Sequence, residues 1–257
     1  MEYMYSLLNI ENGIKEMICF VGGGGKTSAM FQLSRELSRK GKKILVTTTT
    51  AVCYPEKKLF DNIIVSEKED LGIFNDTICD GITVLGKSMS SEGKLLGINP
   101  KFLDVIFSRG LFDFILIEGD GSKGRSVKAP AVHEPVIPSH TTKLVGLIGM
   151  DCVGKNVHEE NVHRPEHFCR ILGCREGDII DTEMIEKLII HKQGLFKASP
   201  VQSEKYLILN KVDGESAKKS AIDITQQLLR MGFELEGIVM SSFKSSTFQN
   251  AIKEVRI

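Results

Sequence analysis

Met17-Ile18-Cys19-Phe20-Val21-Gly22-Gly23-Gly24-Gly25-Lys26-Thr27-Ser28 decides the fold of this 257-residue chain. Residues 17–21 are continuously apolar and read as a strand buried on both faces. From 26 to 40 the chain sets Met30, Leu33 and Leu37 on one helical face, and Gly41 follows as a stop. Four glycines between strand and helix let backbone N–H groups converge on a phosphate, and the helix N-terminus adds a favourable dipole. Gly22, Gly23, Gly24, Gly25, Lys26, Thr27 and Ser28 are therefore the candidate phosphate-binding residues. Lys26 is placed to reach the β- and γ-phosphates, and Thr27 to put its hydroxyl on Mg²⁺.

In the long form of this loop, G-x-x-x-x-G-K-[ST], the first glycine falls on Phe20, so the match is to the shorter G-x-x-G-K-T form. That form is similar to the loop of the deviant Walker A ATPases, whose signature lysine falls on Val21 and is missing, and to the loop of the peptidoglycan-precursor ligases.

Outward from the loop, apolar runs at 43–47, 112–117, 143–149, 205–209 and 236–240 read as further strands, and 215–231 as a helix ending at Gly232. Strands separated by helices predict an α/β chain: a three-layer phosphate-loop NTPase-like fold on a mostly parallel sheet, in one domain over 1–257. Two stretches break the rhythm. Residues 82–98 read as a hairpin insertion around a Ser-Ser-Glu-Gly turn. Residues 151–200 read as a helical insertion, with one helix over 182–192 capped by Asp181 or Thr182 and stopped by Gly194.

The apolar run 112–117 ends in Glu118-Gly119-Asp120-Gly121, which brings carboxylates to the same sheet edge, where Glu118 or Asp120 holds Mg²⁺. The glycines let the backbone pass close to the phosphates. Lys123, Arg125 and Lys128 follow within six positions, either to neutralise charge developing in phosphoryl transfer or to hold an anionic second substrate. Lys26, Glu118, Asp120, Lys123 and Arg125 are the candidate catalytic residues. Asn210-Lys211-Val212-Asp213 closes the run at 205–209 and has the form that selects guanine. Its aspartate accepts from two guanine N–H groups, its lysine lies over the base, and its asparagine ties the loop to the phosphate end.

Thr47-Thr48-Thr49-Thr50 brings hydroxyls to that same edge, where Thr48 is a further candidate metal ligand. His158, His163 and His167 lie close together, but Arg164-Pro165 favours a helix start at 165, which disrupts a ligand set. His133-Glu134-Pro135 and Pro138 form a rigid loop fit to wall a cleft.

Lys+Arg and Asp+Glu both number 33, which argues against long nucleic acids as partners while leaving local clusters open. No window approaches 18 apolar residues and the N-terminal stretch has no signal-peptide pattern, so the expectation is a cytoplasmic protein with no membrane association. Six cysteines, at 19, 53, 79, 152, 169 and 174, show no C-x-x-C pair and read as reduced thiols.

Taken together, GGGGKTS (22–28), TTTT (47–50), EGDGSKGRSVKAP (118–130), HEPVIP (133–138), HR (163–164) and LNKVD (209–213) resemble the YqeC-like family in order and spacing, over about 190 residues. The family's acidic segment reads E-A-D-G-S-K-G-R-P-x-K-A-P, so Gly119 and Ser126 depart from it without changing a charged group. The resemblance implies a bacterial accessory protein in maturing the cofactor of a selenium-dependent molybdenum hydroxylase. Mg²⁺ and GTP are the expected cofactors, with ATP the alternative. The implied partner is the hydroxylase or its insertion chaperone. Three functions follow: a GTP-favouring NTPase, an ATP-dependent kinase or ligase acting on a small anionic cofactor precursor, and a nucleotide-gated docking module with little turnover.

Overall fold

Strands that lack a polar face must be covered on both sides, and this chain supplies helices to do so. The computed structural model describes residues 2–10, 13–74 and 80–255. Its strands in chain order are β1 (Glu16–Gly22), β2 (Lys43–Thr48), β3 (Ala51–Cys53), β4 (Asn62–Val65), β5 (Gly81–Gly86), β6 (Lys94–Leu96) and β7 (Phe114–Glu118). They continue as β8 (Val127–Lys128), β9 (Lys143–Gly149), β10 (Val162–His163), β11 (Glu204–Asn210), β12 (Gly237–Ser242) and β13 (Thr247–Asn250). The helices are α1 (Met4–Leu7), α2 (Lys26–Ser38), α3 (Pro100–Arg109), α4 (Pro165–Leu172), α5 (Thr182–Ile190), α6 (Glu215–Arg230) and α7 (Ala251–Val255).

One sheet of nine strands runs β13-β12-β11-β9-β1-β7-β2-β5-β4, parallel throughout except for β13. Side chains alternate across the pleat. Ile18, Phe20, Ile44, Phe114 and Leu147 face Met30, Leu33 and Leu37 of α2, while Met17, Cys19, Leu45, Ile115 and Leu209 face α3, α5 and α6. The result is the three-layer α/β fold. β1 lies between β7 and β9, with β2 beyond β7 and β11 beyond β9. The phosphate loop, Thr48, Glu118, Gly149 and Asn210 therefore all emerge at adjacent strand ends, the position where open parallel sheets take ligands.

The stretch 82–98 departs from the predicted insertion. Residues 81–86 form β5, an inner strand of the main sheet paired in parallel with β2 and β4, because Ile82, Val84 and Leu85 bury apolar surface there. A hairpin does form, displaced to 87–96: Ser90 N–H donates to Lys94 O at 2.8 Å, Lys87 N–H to Leu96 O at 2.9 Å, and β6 then pairs with β3. Within 151–200, α4 and α5 pack on the α3 face of the sheet, and β10 pairs with β8. Asp181 rather than Thr182 caps α5, accepting from Met184 N–H at 2.8 Å. Among the described residues no helix is long and apolar enough to cross a membrane. Five cysteines are free thiols, and Cys79 lies outside the described residues.

Candidate functional site

Gly24 and Gly25 have φ of +78° and +123°, a region closed to most side chains. A Cβ on Gly24 would run into the Gly149 backbone, and one on Gly25 would meet Asn210 Nδ2 at 2.7 Å. Glycine is required at both. The Gly23 N–H donates to Leu147 O at 3.0 Å and the Gly24 N–H to Arg125 O at 2.9 Å, which fixes the loop between β9 and the basic segment. The amides of Gly25, Lys26, Thr27 and Ser28, at the start of α2, find no acceptor among the described residues, so they are the donors left for an anion.

Lys26 is folded back into the loop. Its ammonium donates to Gly22 O at 2.6 Å and lies 3.3 Å from Asp120 and 3.7 Å from Glu118. Burial alone would lower its pKa, but the two carboxylates outweigh burial and hold it above the usual lysine value. The two acidic residues, interchangeable in sequence, have separate roles. Asp120 accepts the Gly22 N–H on both oxygens at 3.1 Å and pairs with Lys26 and Lys128, leaving it no free face. Glu118 Oε2 accepts from Thr27 Oγ1 at 2.7 Å, and burial raises its pKa against the pull of Lys26. Thr27 and Glu118 are thus the oxygens available to a cation. No cluster of three or more His, Cys, Asp or Glu that could hold a metal occurs among the described residues. A cation here needs oxygens from elsewhere, which suits Mg²⁺ carried on a triphosphate.

Thr48 is buried with its hydroxyl donating to Glu118 O at 2.9 Å and accepting from the Thr50 N–H, so it shapes the turn and does not face the cation position. The basic segment is divided. Lys123 is exposed, Arg125 donates to Glu159 O at 2.6 Å, and Lys128 is buried between Asp120 at 3.1 Å and Glu134 at 2.6 Å. Lys128 braces the site and has no hand free for a second substrate. Ser126, at the family's proline position, accepts from Lys211 Nζ at 2.6 Å, a contact proline cannot make. At Gly119, an alanine Cβ would fall 2.7 Å from Cys19 Sγ, so glycine accompanies that thiol. Gly121 has open space around it and imposes no such limit.

At the other end, Asn210 Nδ2 donates to Gly24 O at 2.6 Å, and Asn210 Oδ1 accepts from Ser241 Oγ at 3.0 Å. Asp213 is exposed and accepts from Ser242 Oγ at 2.6 Å. Lys211, at φ +59°, bonds Ser126 and lies 3.1 Å from Asp151. Sequence reasoning missed Ser241 and Ser242; a Ser-Ser pair ending the next parallel strand was the available signal. A groove of about 210 Å³ lies beside the start of α2, bounded by Thr27, Ser28, Phe31, Arg35 and Phe243. His163 ends β10 and α4 opens at Pro165; burial, then Arg164 and Lys128, push the His163 pKa down to about 4.

The YqeC protein family model matches residues 18–166. The uncharacterized protein YqeC of Escherichia coli (strain K12) is 32% identical over 196 residues, which are 76% of this chain and 75% of that protein. The solved structure of FtsY from Mycoplasma mycoides aligns with 92% of this chain at 10% identity and a TM-score of 0.33, too slight a likeness to bear on function. The aligned region is 55% of FtsY, so the chain spans about half the length of that protein.

Proposed function

The chain belongs to the YqeC protein family, and on that premise we propose that it binds a Mg²⁺–nucleoside triphosphate, GTP in preference to ATP, as an accessory factor for a selenium-dependent molybdenum hydroxylase. One observation carries the nucleotide reading: Asn210 Nδ2 on Gly24 O, 2.6 Å across 186 residues of sequence, joins the base-selecting motif to the phosphate loop. The amides of Gly25, Lys26, Thr27 and Ser28 receive the phosphates, while Lys26 exchanges Gly22 O and its carboxylates for phosphate oxygens. Thr27 and Glu118 hold the cation, and Asp120 stays on Gly22. Bound Mg²⁺ supplies charge that offsets what develops on a transferred phosphoryl group. Asp213, set by Ser242, reads the base, and the exposed Lys123 is free for the outgoing phosphate or a second anion.

Calorimetric titration of GTP and ATP tests this. GTP should bind roughly 10–100-fold tighter, and Asp213→Asn should erase the difference, because an amide donor then opposes guanine N–H groups. Equal affinities untouched by that substitution would remove the guanine reading. For the accessory role, Lys26→Ala should abolish hydroxylase maturation in cells; unimpaired maturation would dismiss it.

A second reading, the docking module with little turnover, draws on the internal bonds that already occupy Lys26 and the Gly22, Gly23 and Gly24 amides. Single-turnover hydrolysis far slower than nucleotide release would favour it.

A further inference from the structure

The motifs at 133–138 and 163–164 have no part in the nucleotide reading, yet the structure joins them to the phosphate loop. Glu134 accepts from both terminal guanidinium nitrogens of Arg164 and also from the Lys128 ammonium at 2.6 Å. Lys128 in turn lies 3.1 Å from Asp120, and Asp120 lies 3.3 Å from Lys26 while it accepts the Gly22 N–H. Charges alternate along this chain: Arg164, Glu134, Lys128, Asp120, Lys26. The three inner members are all but sealed, with 8%, 1% and 2% of their side chains exposed, so each depends on its neighbours for charge compensation. Lys128 is the middle of the chain and adds a bond to Gly121 O at 2.7 Å.

Arg164 is the member that ties the chain to the start of α4. It sits at φ +64° between β10 and α4, and its carbonyl accepts the His167 and Phe168 N–H groups of the first turn of α4. Val162 and His163 pair with Val127 and Lys128 along the same edge. Backbone and side-chain contacts therefore hold the two segments in one register.

We propose that Arg164 is a positioning residue for the phosphate loop, acting through Glu134, Lys128 and Asp120 on the Gly22 amide and the Lys26 ammonium. The claim rests on the phosphate-binding reading for its purpose, but its mechanism is present without a ligand. Removing the guanidinium leaves Glu134 and Lys128 as a pair that no longer needs its present placement. Asp120 then loses its fixed counter-charge, and the loop loses the carboxylate that orients Gly22. The segment 162–172 and the phosphate loop are on this account one energetic unit.

Hydrogen exchange on the ligand-free full chain tests the claim. Arg164→Ala should speed exchange of the Gly22 amide about tenfold or more, while Arg164→Lys, which keeps the charge, should stay within about threefold of the native rate. In an Asp120→Asn background, Arg164→Ala should add nothing further at Gly22. The Ile208 amide, in β11, is the control and should not change. An unaltered Gly22 rate in Arg164→Ala, or Gly22 and Ile208 rising together, overturns the inference. If Arg164→Ala does not fold, Arg164→Gln is read by the same criteria. A wild-type chain that binds neither GTP nor ATP would sink the nucleotide reading, while the exchange data still decide the role of Arg164.

Discussion

At the phosphate end of the cleft, Lys26, Asp120 and Lys128 are buried and compensate one another; at the base end, Asp213 is exposed and Lys211 half-buried, each held by a serine hydroxyl. The contrast matches what the proposed function asks of each end. Triphosphate and Mg²⁺ bring large charges, and a site for them is built from fixed charges in a low-dielectric surround, where interactions are strong and a missing partner is costly. Selecting a base needs one carboxylate aimed correctly, which a single hydroxyl can do in contact with water. Substitutions at the two ends should therefore differ in kind: the phosphate end couples binding to folding, and the base end changes preference at little cost in stability.

The largest effect tests that separation directly. Asp120→Ala removes the carboxylate that Lys26 and Lys128 share and frees the Gly22 N–H, and should lower the unfolding free energy by about 3–5 kcal/mol, whereas Asp213→Ala should stay within about 0.5 kcal/mol. Denaturant melts of both variants check this, and similar losses would break the comparison. Asn210→Ala, where the ends meet, should fall between them at about 1–3 kcal/mol, because it leaves Gly24 O and Ser241 Oγ short of a partner. Ser242→Ala should cost about 1 kcal/mol or less in the same assay but reduce the GTP-over-ATP preference severalfold, since Asp213 is then free to turn. A preference that survives Ser242→Ala would show that Asp213 is aimed by its own loop.

The pH dependence tests the buried charges by another route. Burial would raise the Glu134 pKa, but Arg164 and Lys128 override it and bring it to about 2 from an ordinary 4.5. The stability it lends is complete above 4.5 and is lost as pH falls from there toward 2. His163 is depressed to about 4 from 6.5, so on acidification the unfolded chain takes up the proton first and stability falls from pH 6.5 to 4. Unfolding midpoints measured across pH should show both windows, and His163→Gln should remove the upper one only.

Much of this was readable from residue order. The apolar run 17–21, the glycines and the amphipathic 26–40 specify a strand, a loop and a helix without help from the rest of the chain, and runs at 143–149 and 205–209 placed Gly149 and Asn210 at the same edge. The parts that misread have physical causes. The run at 82–86 looks the same whether it pairs with the turn that follows or with β2 and β4, and long-range burial decided for the sheet. Lys128 reads as one cation in a basic cluster, yet folding places it between two carboxylates and closes it from solvent.

Local sequence determined the strand, glycine loop and helix at 16–38, the acidic strand end at 118 and the strand that ends at Asn210, because each is built from contiguous residues whose backbone needs are local. Tertiary structure alone decided that Glu118 accepts from Thr27 while Asp120 takes the Gly22 N–H, that Ser242 bonds Asp213, and that Glu134 and Arg164 reach the loop through Lys128. Those roles depend on which charge is desolvated beside which, and residues up to 186 positions apart set that proximity.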